Sequence, residues 1–170
     1  MSRTVDNVLV TYPLKETVAN FSMYPMRIST GMGGEAKELP SNDWPEWDGI
    51  EEYVPEEGIP LRSYDMEIGF GYRYDGTITT GGIGHAKAAI RSFIDYLRGA
   101  DGTGVWMRLY CEQTLTGMNK VRFLGSEIKD DNYFRLKRGE RLFFTVKLRV
   151  TDPVTRVVKD GNQLSVLTNG

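Results

Sequence analysis

The sequence predicts a mainly β fold with one helix (α+β): a β-sandwich or partial barrel flanked by a single α-helix, with one long extended loop. Three observations predict it. Residues 64–74, YDMEIGFGYRY, alternate with period two. Met66, Ile68, Phe70, Tyr72 and Tyr74 take one face, and Asp65, Glu67, Gly69, Gly71 and Arg73 the other. Residues 142–150 alternate more strongly. Leu142, Phe144, Val146, Leu148 and Val150 oppose Arg141, Phe143, Thr145, Lys147 and Arg149, and a slip of one residue would put five large apolar side chains into water. Only residues 85–98, HAKAAIRSFIDYLR, carry a helical period, with Ala86, Ala89, Ile90, Phe93, Ile94 and Leu97 on one stripe.

In chain order, residues 7–12 (NVLVTY) and 26–29 read as short strands. Residues 30–60 form the long loop, punctuated by Gly31, Gly33, Gly34, Pro40, Pro45, Gly49, Pro55 and Gly58. A connector this long is functional or disordered, and Trp44, Trp47 and Tyr53 argue against disorder. The loop is expected to be an extended arm or a β-hairpin. A glycine-rich turn leads from the strand at 64–74 into the helix, where Arg91 and Asp95 are spaced to pair and Gly99 supplies a left-handed close. Residues 105–110 and 120–128 are the next strands, with a bulge expected at Gly125. The strand at 142–150 should stop at Thr151-Asp152-Pro153, since proline cannot donate to a ladder. A C-terminal hairpin over 156–167 should turn at Asp160-Gly161.

Composition narrows the function. The 170 residues suffice for one domain, 1–170, that buries roughly 70% of its unfolded surface without disulfide or metal. One cysteine, Cys111, excludes an intrachain disulfide and a disulfide-framed secreted module. A net charge of −2 gives no broad electrostatic reason to bind nucleic acid or an anionic membrane. No apolar run approaches the ~20 residues of a membrane span, and the opening MSRTVDNVLVTYPLK lacks a signal-peptide core. The expectation is a soluble protein made in a cytoplasm.

No catalytic, cofactor or metal residue emerges. His85 is the sole histidine, which excludes multi-histidine metal sites, and no serine occupies a G-x-S-x-G elbow. The glycines of GGIGHAKA fail the dinucleotide spacing, because the third position is Lys87, and they sit in no βαβ unit. Asp43, Glu46, Asp48 and Glu51 do not follow the EF-hand spacing. Trp44, Trp47 and Tyr53 remain as subunit-interface candidates, since amphipathic aromatics are enriched at protein interfaces. Stacking on a sugar and burial against the protein's own body are the alternatives.

The order and spacing of these elements resemble the N-terminal domain of phage distal tail proteins and the related tail-tube fold. The resemblance runs over residues 30–158: the glycine- and charge-rich loop, YDMEIGFGYRY, HAKAAIRSFIDYLRG, GVWMRLY, KVRFLGSEI and the strand FFTVKLRVTDPV. It implies a non-enzymatic structural component of a phage or prophage tail, self-assembling into a ring around a central channel. The implied partners are further copies of the chain, in a hexameric ring, and other phage tail proteins. The implied location is the virion tail, after synthesis in the bacterial host cytoplasm. The long loop would reach a neighbouring subunit or the next ring, and exposed strand edges would be joints between neighbouring sheets. About a dozen residues follow Val158, so the carbohydrate-binding-like C-terminal domain of many distal tail proteins is not expected. The competing expectation is a carbohydrate-binding β-sandwich module presenting Trp44, Trp47 and Trp106.

Overall fold

The structure, a computed structural model, describes residues 8–10, 15–29, 34–73, 82–100, 102, 104–112, 114–128 and 141–167. Expectations for residues 7, 11–12, 30–33 and 74–81 lie outside them. In chain order the elements are β1 (Val8–Val10), β2 (Lys15–Glu16), α1 (Thr17–Phe21), β3 (Met23–Ser29), β4 (Ser41–Asn42), β5 (Glu51–Glu52), β6 (Tyr64–Arg73), α2 (Gly82–Leu97), β7 (Met107–Cys111), β8 (Thr116–Ile128), β9 (Arg141–Asp160) and β10 (Gln163–Val166). The fold is mainly β and antiparallel, as the alternating segments require. Pairing runs without interruption in the order β2-β1-β7-β8-β9-β6-β3, with β10 on β9 and β4-β5 as a separate ribbon. The described strands of the body thus pair along one continuous path, and α2 packs over its β6–β9 part.

The helix starts at Gly82, three residues before the expected His85. Ile83 explains this by adding one more turn to the stripe of Ala86, Ile90, Phe93 and Leu97, packing at the margin of the core these four enter. That packing outweighs the low helix propensity of Gly82 and Gly84. The Phe93 ring stands edge-on to Phe70 at 5.2 Å and to Phe144 at 6.2 Å, fastening α2 over β6 and β9. Asp95 pairs with Arg98 at 3.2 Å rather than with the expected Arg91. The helix closes in a Schellman motif: Gly99 N–H donates to Tyr96 O and Ala100 N–H to Asp95 O. Gly99 has φ +74°, and a β-carbon there would stand 2.5 Å from Gly104 O.

Three expectations are corrected. The helix is not single. α1 is a five-residue turn closed by Ser22 at φ 58°, and its Phe21 packs on Phe93 and Tyr96 at 5.1 and 5.0 Å. The strand does not stop at Asp152-Pro153. β9 runs 20 residues, because β8 stays paired with it to Arg156 after β6 ends at Val150, and β10 pairs with it from Val157 to Asp160. The pairing steps from Asn119↔Asp152 to Met118↔Arg156, so Pro153, Val154 and Thr155 bulge out, where no ladder N–H is needed. Asp152 holds the bulge, accepting from Asn119 Nδ2 at 3.0 Å, Val154 N–H at 3.3 Å and Thr155 N–H at 3.1 Å. The hairpin turn is one residue later than expected, at Gly161-Asn162, with Gln163 opposite Asp160. The bulge expected at Gly125 is present, between Phe123 and Gly125.

Candidate interaction surface

The long loop folds as an extended two-stranded arm. Arg62 N–H donates to Glu35 O, Lys37 N–H to Pro60 O and Tyr53 N–H to Pro40 O. Ala36 bridges Leu61, and β4 pairs with β5 through Ser41↔Glu52 and Asn42↔Glu51. These contacts form a ladder from base to tip, with the Arg62–Glu38 ion pair at 3.2 Å near the base. Across residues 34–61 only Leu39, Pro55 and Leu61 are even half-buried. The arm therefore stands away from its own body.

Its aromatics are outside. Trp44 is 50% exposed, Trp47 73% and Tyr53 70%, which removes burial against the protein's own body as their explanation. Trp44 is oriented by its Nε1–H, which donates to Glu51 Oε2 at 3.0 Å. Trp47 follows on a turn, its N–H donating to Trp44 O at 3.1 Å. With Pro45, Glu46 and Glu51 the two indoles line an open cleft of about 510 Å³. Tyr53 lies farther down the arm, and Trp106, at the entrance to β7, does not line the cleft.

A second surface was not singled out in the sequence. It lies on the face of the sheet away from α2, where Asp65 opposes Arg149, Glu67 Lys147, Gly69 Thr145, Gly71 Phe143 and Arg73 Arg141. At one end charges cancel: the Arg149 guanidinium grips Asp65 at 2.7 and 3.1 Å, and Lys147 sits 3.6 Å from Glu67. The hydrogen bond from Arg149 holds the Asp65 carboxyl below the usual carboxylate range. At the other end Gly69 and Gly71 carry no side chain; Gly69 is half-buried, and Gly71 is buried beneath its neighbours. A β-carbon at Gly71 would meet Met26 Sδ at 3.1 Å and the Phe143 ring at 3.5 Å. Met26 is 53% exposed and Phe143 47%. Phe143 was legible as a large aromatic in the polar register of its strand. Met26 was not, because a bulge between Pro25 and Arg27 sets where it lies.

Among the described residues no group of three His, Cys, Asp or Glu side chains is placed to hold a metal, and no helix is long and apolar enough to cross a membrane. Cys111 is buried and unbonded, and His85 lies exposed on α2.

No protein-family model matches this sequence, and no curated protein matches it. A solved structure does match in fold: the crystal structure of the SPP1 Dit protein, described as a paradigm of the hub adsorption apparatus in phages that infect Gram-positive bacteria. The TM-score is 0.53 at 12% sequence identity, over 89% of this chain and 52% of that one. The chain spans about half the length of that phage protein, and the two share a fold.

Proposed function

We propose that this chain is a non-enzymatic structural component of a phage or prophage tail that self-assembles into a ring, of distal tail or tail-tube type, around a central channel. The observation that carries this reading is the fold shared with the SPP1 Dit protein over 89% of the chain. The arm supports it independently. Hydrogen-bonded aromatic structure that no part of its own body covers suits a contact with another molecule. Six copies closing around the channel, with further tail proteins stacked on the ring, is the arrangement proposed. Negative-stain microscopy and light scattering across a concentration series test it. Rings or stacked rings are expected at high concentration, and a monomer at every concentration overturns the reading.

The second reading is a carbohydrate-binding module, which the Trp44–Trp47 cleft favours, since exposed indoles beside carboxylates suit a sugar. Titration with glycans, followed by tryptophan fluorescence, separates the two. A saturable change with a stable monomer supports the module; the ring subunit is expected to give neither.

A further inference from the structure

Charge is divided unevenly along this chain. Residues 43–57 contain Asp43, Glu46, Asp48, Glu51, Glu52, Glu56 and Glu57, seven of the 23 acidic residues and none of the 21 basic ones. The remainder carries sixteen acids against twenty-one bases, a net +5 beside an arm tip at −7. The arm does not fold back to neutralise its own body, since its residues stay exposed. A second copy offers the complementary charge.

Among the described residues of the body, positive charge borders exposed apolar side chains at the Gly69–Gly71 end of the β6–β9 face. Around Gly69 and Gly71 stand Met26 and Phe143, rimmed by Arg27, Arg73 and Arg141, all three exposed. Arg27 lies directly beside Gly69, its Cβ 3.7 Å from where a β-carbon would be. Neither Arg27 nor Arg141 has an ion-pair partner among the described residues. The nearby sheet edge is a poorer joint, because β3 carries Pro25 and a bulge, both of which blunt edge pairing. Docking onto the face therefore competes well with continuation of the sheet.

We propose that the outer sheet face at Gly69 and Gly71, with Met26, Phe143, Arg27 and Arg141, receives the tip of the arm (residues 43–57) from a second copy of this chain. Trp47 and Tyr53 of the arm pack on the exposed Met26 and Phe143 side chains, and its carboxylates face the arginines. Rim charges of this kind set register and association rate, while the aromatic contact supplies affinity. The inference rests on the reading that the arm joins subunits, and adds what the arm joins to.

The test uses full-length chains. Trp47→Cys and Phe143→Cys proteins are mixed under mild oxidation; Cys111 is buried and stays silent. A disulfide-linked dimer is expected in the mixture and in neither protein alone. Separately, R27E/R141E is expected to raise the concentration at which the assembly half-dissociates by about tenfold or more. Removal of residues 39–57 is the reference. If that deletion assembles like the wild type, the arm does not join subunits and both readings fall. If the deletion dissociates while R27E/R141E assembles normally, or no cross-link forms, the receptor assignment alone is overturned. A wild type that never assembles overturns both. Should R27E/R141E fail to fold, the cross-link decides.

Discussion

Gly117 shows what single atoms decide here. A β-carbon on Gly117 would lie 2.0 Å from Val157 O, because the far half of β9 crosses β8 at this point and brings Val157 into a small cluster with Tyr110 and Leu164. The obstruction is backbone, so no rotamer change relieves it. Gly117→Ala is expected to destabilise the fold by about 1–3 kcal/mol or more, read as a lower denaturant midpoint at unchanged slope. Asp152 acts at the same crossing. Burial pushes its carboxyl up, but hydrogen bonds from Thr155, Asn119 and Val154 outweigh this and hold it below the usual carboxylate range. A depressed folded-state pKa stabilises most where the unfolded carboxylate is ionised, above about 3.9, and the benefit is lost as pH falls through the lower folded value. Asp152→Ala is therefore expected to melt lower than wild type at neutral pH, with the gap narrowing in acid. A gap that stays constant down to pH 2 would show that the ionised carboxylate does not hold the bulge.

At the scale of elements, α2 owes its place to one ring. Phe93 is fully buried against Phe21, Phe70 and Phe144, joining both helices to β6 and β9. Phe93→Ala is expected to cost about 3–5 kcal/mol in chemical denaturation, and a near-neutral result would mean the helix is not seated on the sheet. This stripe was legible in the sequence because helical and strand periods differ, and each buried its own apolar set. What escaped notice has a physical reason in each case. α1 is a single turn, too short to show a period, and depends on Phe21 docking onto α2. Asp152-Pro153 reads locally as a strand end, yet β8, β10 and a side-chain-held bulge carry β9 past it. The outward placement of Trp44, Trp47 and Tyr53 was foreseeable from aromatics set among carboxylates. The face at Gly69 and Gly71 needed strand register and the β3 bulge, which no local pattern encodes.

For the whole molecule, the net charge of −2 conceals its own division. The negative charge sits on an arm projecting from a body that is net positive, so the total says little about what either part would meet. The division says more about how copies would meet each other. Contacts between an acidic arm and a basic face weaken as salt screens them, with a Debye length of about 10 Å at 0.1 M and about 3 Å at 1 M. Contacts between continued sheet edges rest on backbone hydrogen bonds and apolar burial, which salt hardly weakens. Sedimentation equilibrium from low to high sodium chloride therefore separates the two kinds of joint. With arm-to-face docking, the concentration for half-dissociation should rise steadily with salt, and R27E/R141E should flatten that dependence. An assembly that holds equally well or tightens with salt would place the joint in apolar or backbone contacts, leaving the charge on the arm to some other partner.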